Sequence, residues 1–253
     1  KSCAVQGPPG TGKSYILAQL RDRLREAGET VEVLAPTNAA ARIVGGCTVH
    51  NFLSRNARNE RGYQGTLLID EVSMLCLGLV AVLDNLRASG CRIISFGDWD
   101  QLEPVGNSWR GKAVDPLILQ HSALLKRWSD CTMFQLTRCR RSDQAHFDFY
   151  TRLHEDLATA IAWTRAAYRR WTHMTPGALH LVISHRKRRA LNAQLQEKFA
   201  EGKHAVTIPA YEGEPEYACT QGTPLVGSCT GRGFVNGAFY EVQDFSLNLS
   251  DQE

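Results

Sequence analysis

A glycine-rich segment near the start of the chain carries the clearest chemical signature. The stretch "GPPGTGKS", residues 7–14, fits the spacing G-x-x-x-x-G-K-S/T and lies between an apolar run and an amphipathic one. In such a segment, here called the P-loop, backbone N–H groups and a helix N-terminus together cradle a phosphate chain. A glycine-rich turn without a ligand is the alternative, and it leaves the flanking strand and helix unexplained.

The P-loop spacing predicts a site for ATP. Lys13 would reach the β- and γ-phosphates, and the Ser14 hydroxyl would bind Mg²⁺. The residues predicted to contact the nucleotide are Gly7, Pro8, Pro9, Gly10, Thr11, Gly12, Lys13, Ser14 and Tyr15.

Two adjacent carboxylates form the second candidate feature. Asp70 and Glu71 end the stretch "LLIDE", whose apolar run predicts a buried strand. Ligands of parallel sheets collect at the carboxyl ends of the strands. Asp70 is therefore predicted to hold Mg²⁺, directly or through water, and Glu71 to polarise the attacking water as general base. Capping of the following turn is the alternative role for this pair.

A third polar segment, "GDWDQLEPV", follows the apolar run "CRIIS". The Gln101 amide can both donate and accept, so it is suited to sense the γ-phosphate or its attacking water. Asp98 is suited to bind the hydration shell of Mg²⁺ or a lysine. An ordinary aspartate-rich turn is the alternative.

The elements that must position these residues alternate along the chain. Short apolar runs such as "VEVLAPT", "TLLIDE", "CRIISFGD" and "CTMFQLT" predict strands, and amphipathic segments between them predict helices. This pattern predicts an α/β fold with a parallel sheet covered by helices on both faces. "DPLILQHSALLKRW" predicts one helix, with Asp115 as N-cap and Pro116 at the first position.

After Arg141 the pattern changes. "SDQAHFDFYTRLHEDLATAIAWTRAAYRRW" is largely helical, "LHLVISH" predicts a strand and "KRRALNAQLQEKFAEG" predicts a helix. These segments predict the opening of a second α/β unit. The predicted domains are residues 1–136, with a small inserted loop at 51–65, and a partial second domain at 137–253.

Composition narrows the function class only slightly. The net charge of +3 over 253 residues permits a nucleic-acid partner without indicating one. The arginine clusters at 138–141 and 186–189 are, by themselves, typical of solvated surfaces. Eight cysteines include no C-x-x-C pair, which argues against a zinc knuckle and predicts an intracellular, reducing compartment (cytoplasm, nucleus or viral factory). No signal peptide or membrane-spanning run is evident, so no membrane partner is expected.

Taken in order, "GPPGTGKS", "LLIDEVSM" and "GDWDQLEPV" resemble the first three nucleotide motifs of superfamily 1 helicases. "APTNAAARIVGGCTVHNF" resembles the DNA-contacting segment of the PIF-type and RecD-like group. "LTRCRRSDQAHF" is similar to the next motif of that group, and "GRGFVNGAFYEV" resembles its Leu-x-Asn-Gly-x-x-Gly-x-Val stretch. The resemblance implies a P-loop NTPase with RecA-like sheets and an ATP-dependent DNA helicase, 5′→3′ in polarity.

The resemblance also implies residue roles. The catalytic residues would be Lys13, Glu71, Gln101 and Arg140, the last as an arginine finger from the second domain. Arg141 is the alternative finger, because the family has Arg-Gln where this chain has Arg-Arg. Ser14 and Asp70 would bind the metal. Single-stranded DNA would lie along Pro36, Thr37, Thr48 and His50.

Two other functions remain open at this point: a viral-type superfamily 1 RNA helicase, and a DNA-binding scaffold with a decayed ATPase. The family also has an adenine-contacting segment before the P-loop and a Thr-x-His-Lys-x-Gln-Gly segment after the last match. The chain is therefore expected to be part of a larger protein.

Overall fold

A six-stranded parallel sheet forms the centre of the first half of the chain in the computed structural model. The structure describes residues 1–56, 63–104, 106–153, 156–170, 180, 182, 184–209, 216–228, 231 and 233–244. These fall into two compact units, Lys1–Thr172 and His173–Glu253. The strands of the first unit are β1 (Cys3–Gln6), β2 (Val31–Ala35), β3 (Cys47–Thr48), β4 (Thr66–Ile69), β5 (Arg92–Gly97), the hairpin β6 (Ser108–Trp109) and β7 (Lys112–Ala113), and β8 (Met133–Gln135).

The order of strands in the sheet is β3-β2-β4-β5-β1-β8, and every neighbouring pair is parallel. Gln6 pairs with Gly97, and Ile69 pairs with Ser95, so β1, β4 and β5 end at nearly the same level. The residues that follow these three strands therefore meet at one edge of the sheet. This is the edge at which the sequence predicts the site.

Helices cover both faces of the sheet, as predicted. The helices of the first unit are α1 (Lys13–Glu26), α2 (Asn38–Val44), α3 (Val49–Asn56), α4 (Leu77–Ala88), α5 (Pro116–Gln120), α6 (Ala123–Trp128), α7 (Gln144–Thr151) and α8 (Leu157–Arg170). Leu67 and Ile69 point into one apolar cluster, with Phe52 and Leu83, whereas the intervening Leu68 points into a second one. This alternation is the reason that the strands are apolar on both faces.

The segment predicted as one helix, "DPLILQHSALLKRW", forms two. Pro116 is the first residue of α5, as predicted, but the helix ends at Gln120 and α6 begins at Ala123. Ser122 separates them: its hydroxyl donates to Leu119 O at 2.7 Å and accepts from Leu125 N at 3.1 Å. A serine in this N-cap role competes with continuation of the preceding helix.

The second unit contains α9 (His185–Ala200) and two antiparallel strand pairs, β9 (Val206–Ile208) with β10 (Tyr217–Cys219), and β11 (Pro224–Val226) with β12 (Phe239–Glu241). The predicted helix "KRRALNAQLQEKFAEG" is confirmed as α9, and the Ser184 hydroxyl caps it by accepting from Lys187 N at 3.2 Å. Most of the predicted strand "LHLVISH" lies outside the described residues.

The boundary between the two compact units falls after Thr172, whereas the predicted domain boundary falls after residue 136. Helices α7 and α8 therefore belong to the first unit. A second RecA-like domain over residues 137–253 stays a prediction. The predicted inserted loop at 51–65 begins within α3, and residues 57–62 lie outside the described part of the chain. No described helix is long and apolar enough to cross a membrane.

Candidate nucleotide site at the carboxyl edge of the sheet

The P-loop connects β1 to α1 through backbone that favours glycine. Gly10 and Gly12 have φ of 79° and 99°, and Gly12 is the N-cap of α1. A side chain at Gly7 would place its Cβ 2.5 Å from the carbonyl oxygen of Leu136. The Thr11 hydroxyl donates to Pro8 O at 2.8 Å and closes the turn. The predicted strand, loop and helix are thus all present.

Lys13 lies buried beneath this loop, with only 6% of its surface exposed. Its ammonium donates to Gly7 O at 2.6 Å and to Pro8 O at 3.1 Å. A positive charge is therefore fixed inside the turn, next to the N-terminus of α1. Both features favour an anion at this place. Tyr15, by contrast, points outward and is 70% exposed.

Ser14 and Asp70 bring the first two motifs together. The Ser14 hydroxyl donates to Asp70 Oδ2 at 3.3 Å, and Glu71 N donates to Asp70 Oδ1 at 3.1 Å. Asp70 is buried, and burial raises the pKa of its carboxyl, against the opposing effects of these two hydrogen bonds and of the Lys13 charge. A hydroxyl and a carboxylate oxygen are donors that Mg²⁺ accepts.

The two oxygens fit a magnesium ion that completes its coordination with water and phosphate. Among the described residues, no group of three His, Cys, Asp or Glu side chains is arranged to hold a metal ion by itself. A Mg²⁺ ion bound through one or two protein groups plus substrate phosphates is the usual arrangement at nucleotide sites.

Glu71 adopts a left-handed backbone conformation, with φ 50° and ψ 47°, which is rare outside glycine. It is the N-cap of a 3₁₀ turn (Val72–Met74), but its side chain makes no capping hydrogen bond. The Oε2 atom is buried and has no hydrogen-bond partner among the described residues. Strained backbone and an unsatisfied buried oxygen are common at functional sites.

The electrostatic surroundings of Glu71 also differ from those of a surface glutamate. Burial raises the pKa of Glu71, the charges of Asp70 and Asp98 raise it further, and Lys13 opposes them. Perturbed carboxylates in such clusters are candidates for acid–base chemistry. The capping role considered as the alternative for this carboxylate has no support in its contacts.

Asp98, whose charge acts on Glu71, also holds the side chain of Gln101. The Nε2 of Gln101 donates to Asp98 Oδ2 at 3.1 Å, and its backbone N–H reaches Asp98 O at 3.4 Å. Asp98 is buried at the end of β5, and its second oxygen accepts from Asp100 N at 3.2 Å. The amide oxygen of Gln101 therefore stays available for a further hydrogen bond.

Arg140 contacts the P-loop through its backbone. Its N–H donates to Gly10 O at 2.7 Å, while the side chains of Arg140 and Arg141 are exposed. Both arginines lie in the same compact unit as the P-loop. Tyr150, on α7, also reaches the loop: its hydroxyl donates to Pro9 O at 2.8 Å. Tyr150 was not predicted from the sequence, because it lies in a helix outside every recognised motif.

The four residues predicted to contact DNA lie at the carboxyl ends of two neighbouring strands. Ala35 pairs with Thr48, so Pro36 and Thr37 follow β2 beside the end of β3. The Thr37 hydroxyl accepts from Ala40 N and the Thr48 hydroxyl accepts from Asn51 N, each at 3.2 Å. Each hydroxyl keeps its own proton for donation, and His50 is exposed in the first turn of α3.

Known proteins are similar to this chain in sequence. A family model described as AAA domain matches residues 1–166. RecD2 DNA helicase of Deinococcus radiodurans is 36% identical over 113 residues, which cover 40% of this chain and 16% of that protein. PIF1 DNA helicase of Saccharomyces cerevisiae is 31% identical over 128 residues, covering 39% of this chain and 15% of that protein. The chain thus matches only about a sixth of these relatives' length.

Two solved structures share the fold. Bacteroides Pif1 bound to single-stranded DNA gives a TM-score of 0.64 at 18% identity, covering 97% of this chain and 66% of that one. Pif1 of Candida albicans gives a TM-score of 0.61 at 20% identity, covering 96% and 65%. The predicted RecA-like α/β fold and the resemblance to the PIF-type and RecD-like group are confirmed.

Proposed function

The chain belongs to the AAA domain family over residues 1–166, and on this basis we propose that it is part of an ATP-dependent DNA helicase or translocase of superfamily 1, PIF-like, that hydrolyses ATP to move along single-stranded DNA. One observation carries the proposal: the Ser14 hydroxyl lies 3.3 Å from Asp70 Oδ2, which joins a P-loop to a carboxylate pair at one sheet edge. The relatives named above are DNA helicases.

ATP binds along the P-loop in this proposal, at residues 7–15. Lys13 is already fixed inside the turn by two carbonyl groups, so its charge is available to the β- and γ-phosphates without a large rearrangement. Mg²⁺, held by Ser14 and Asp70, would neutralise charge on the phosphates. Tyr15 is exposed and is the last of the residues proposed to contact the nucleotide.

Glu71 acts as the general base. Its buried Oε2 has no partner among the described residues, so a water molecule bound there would meet an unshared acceptor. Because its pKa is raised, the ionised carboxylate is a stronger base than that of an ordinary glutamate. Hydrolysis, rather than transfer to a small acceptor, is the reaction that this arrangement favours.

Gln101 and Arg140 link the γ-phosphate to conformational change. The Gln101 amide is oriented by Asp98, which leaves its oxygen free to bond the attacking water or the phosphate. Arg140 is proposed as the arginine finger, with Arg141 as the alternative, because the side chains of both are exposed next to the P-loop. Residues 137–253 are proposed to begin a second RecA-like domain.

Single-stranded DNA is proposed to lie along Pro36, Thr37, Thr48 and His50. Hydroxyl groups at two helix N-termini suit phosphate oxygens, and an exposed imidazole suits stacking on a base. These residues follow β2 and β3, in the same sheet that carries the P-loop after β1. The proposed DNA contacts and the P-loop are thus positioned by one sheet.

The proposal is tested by the polymer dependence of ATP hydrolysis in the full-length protein. Single-stranded DNA is expected to stimulate phosphate release, and displacement of streptavidin only from the 3′ end of a biotinylated strand is expected for 5′→3′ movement. Stimulation by RNA alone would instead identify an RNA helicase. Absence of ATP hydrolysis with every polymer, despite DNA binding, would identify a scaffold.

A further inference from the structure

The outer side of the P-loop is covered by the segment from Cys139 to Tyr150. Two hydrogen bonds connect them, Arg140 N to Gly10 O at 2.7 Å and Tyr150 Oη to Pro9 O at 2.8 Å. The fit is tight, because a Cβ added to Gly10 would lie 3.1 Å from both Tyr150 Oη and Arg141 Cβ. Successive carbonyl groups of the loop are thus anchored on the same side.

These anchors determine where the loop's donors point. In a planar trans peptide the N–H of one residue points opposite to the carbonyl of the residue before it. Tyr150 holds Pro9 O, so the Gly10 N–H points away from Tyr150. The Arg140 N–H holds Gly10 O, so the Thr11 N–H points away from Arg140. Within the described part of the chain, neither N–H donates a hydrogen bond.

The Tyr150 ring is itself fixed by packing. It makes edge-to-face contacts with the buried Phe147, at 5.5 Å between ring centroids, and with His146, at 5.4 Å. Its hydroxyl also lies 3.6 Å from Cys139 Sγ. The hydroxyl is therefore presented to Pro9 O by a ring that has little freedom to turn.

We propose that Tyr150 is a positioning residue for the phosphate cradle: by holding the Pro9 carbonyl outward, it aims the Gly10 N–H at the nucleotide phosphates. This inference rests on the proposed function, because it assumes that the P-loop binds ATP. The oriented N–H groups would contribute to binding of the phosphate chain and not of the base. A tyrosine that served only to pack α7 would not affect binding of the phosphate chain.

The test compares Tyr150→Phe with wild type in binding of a fluorescent ATP analogue and in competition by inorganic tripolyphosphate. The phenylalanine keeps the ring contacts with Phe147 and His146, so the fold is retained. Loss of one oriented hydrogen bond is expected to weaken both ligands by about 3- to 10-fold. In turnover, KM for ATP rises while kcat changes little, as for a contact made equally in ground and transition states.

Tyr168→Phe makes the same chemical change on α8, where the ring is 78% exposed, and is expected to bind both ligands like wild type. Tyr150→Phe with wild-type affinity for ATP and tripolyphosphate would overturn the inference, whatever its melting temperature. Wild-type protein that binds neither ligand would instead overturn the proposed function, so the two failures are distinguishable.

Discussion

The Ser14 hydroxyl donates a 3.3 Å hydrogen bond to Asp70 Oδ2, and so joins two segments that are 56 residues apart. Ser14 lies in the first turn of α1, and Asp70 directly follows β4. Parallel strands bring them together, because the carboxyl ends of β1 and β4 lie at the same edge of the sheet. Both oxygens are suited to a magnesium ion held with ATP.

Ser14→Ala is expected to reduce the magnesium dependence of nucleotide binding. Wild type should bind ATP more tightly with Mg²⁺ than with EDTA, and this difference should be smaller in the alanine variant, because Asp70 is then the one proposed protein ligand that remains. Ser14→Thr keeps the hydroxyl and should retain the difference. Equilibrium titration with a fluorescent ATP analogue measures it. A full magnesium effect in Ser14→Ala would contradict the assignment.

Glu71→Gln is expected to stabilise the protein at neutral pH. Burial and neighbouring carboxylates raise the pKa of Glu71 in the fold, so the folded state binds its proton more tightly than the unfolded chain. Stability from this group is therefore complete below the unfolded pKa and is lost as pH rises through the folded pKa. The uncharged glutamine avoids that loss. A gain of about 1 kcal/mol would raise Tm by ~2–4 °C.

The difference in Tm between Glu71→Gln and wild type should shrink as pH falls and wild-type Glu71 becomes protonated. Glu26→Gln, at an exposed position near the end of α1, serves as the matched control and should leave Tm unchanged at every pH. Thermal unfolding at several pH values gives the comparison. A lower Tm for Glu71→Gln at neutral pH would show that the ionised carboxylate is favourable in the fold.

How much the sequence predicts depends on whether a residue acts through local spacing or through a distant contact. The P-loop and the carboxylate pair after β4 follow from spacing and strand pattern, and the structure brings Ser14 and Asp70 together as expected. The contact of Tyr150 with Pro9 joins residues 141 positions apart, which no local pattern encodes. The break between α5 and α6 was not predicted either, because the apolar spacing continues through it. The helix ends there because the Ser122 hydroxyl bonds Leu119 O and Leu125 N.

Cys139 is expected to react with iodoacetamide at neutral pH. Hydrogen bonds from the Ser142 hydroxyl, with smaller contributions from backbone N–H groups, lower the pKa of Cys139 to about 7. Its thiolate should therefore be half populated near that pH, and the alkylation rate should rise from pH 6 and level off by about pH 8.

Ser142→Ala removes the largest of these contributions and should move the alkylation profile of Cys139 to higher pH. Mass spectrometry of the modified peptide follows the site, and Cys139→Ala identifies its peptide among those of the other cysteines. Identical profiles for wild type and Ser142→Ala would show that the Ser142 hydroxyl does not stabilise the thiolate.

His50→Ala is expected to weaken binding of single-stranded DNA by about 5-fold or more, since stacking of one base on an aromatic ring contributes roughly 1–3 kcal/mol. ATP binding without DNA should stay at the wild-type value. His121→Ala, at an exposed position between α5 and α6, is the control and should bind DNA normally. Fluorescence anisotropy with a labelled oligonucleotide measures both. Equal DNA affinity in His50→Ala and wild type would remove His50 from the proposed DNA path.

Glu71 is proposed to drive ATP hydrolysis in response to single-stranded DNA. Steady-state phosphate release by the full-length protein, with and without single-stranded DNA, tests it most directly when wild type and Glu71→Gln are compared. Single-stranded DNA is expected to stimulate release by wild type, and Glu71→Gln is expected to lose about 100-fold or more of this activity while it still binds ATP. DNA-stimulated release that is unchanged in Glu71→Gln would contradict it.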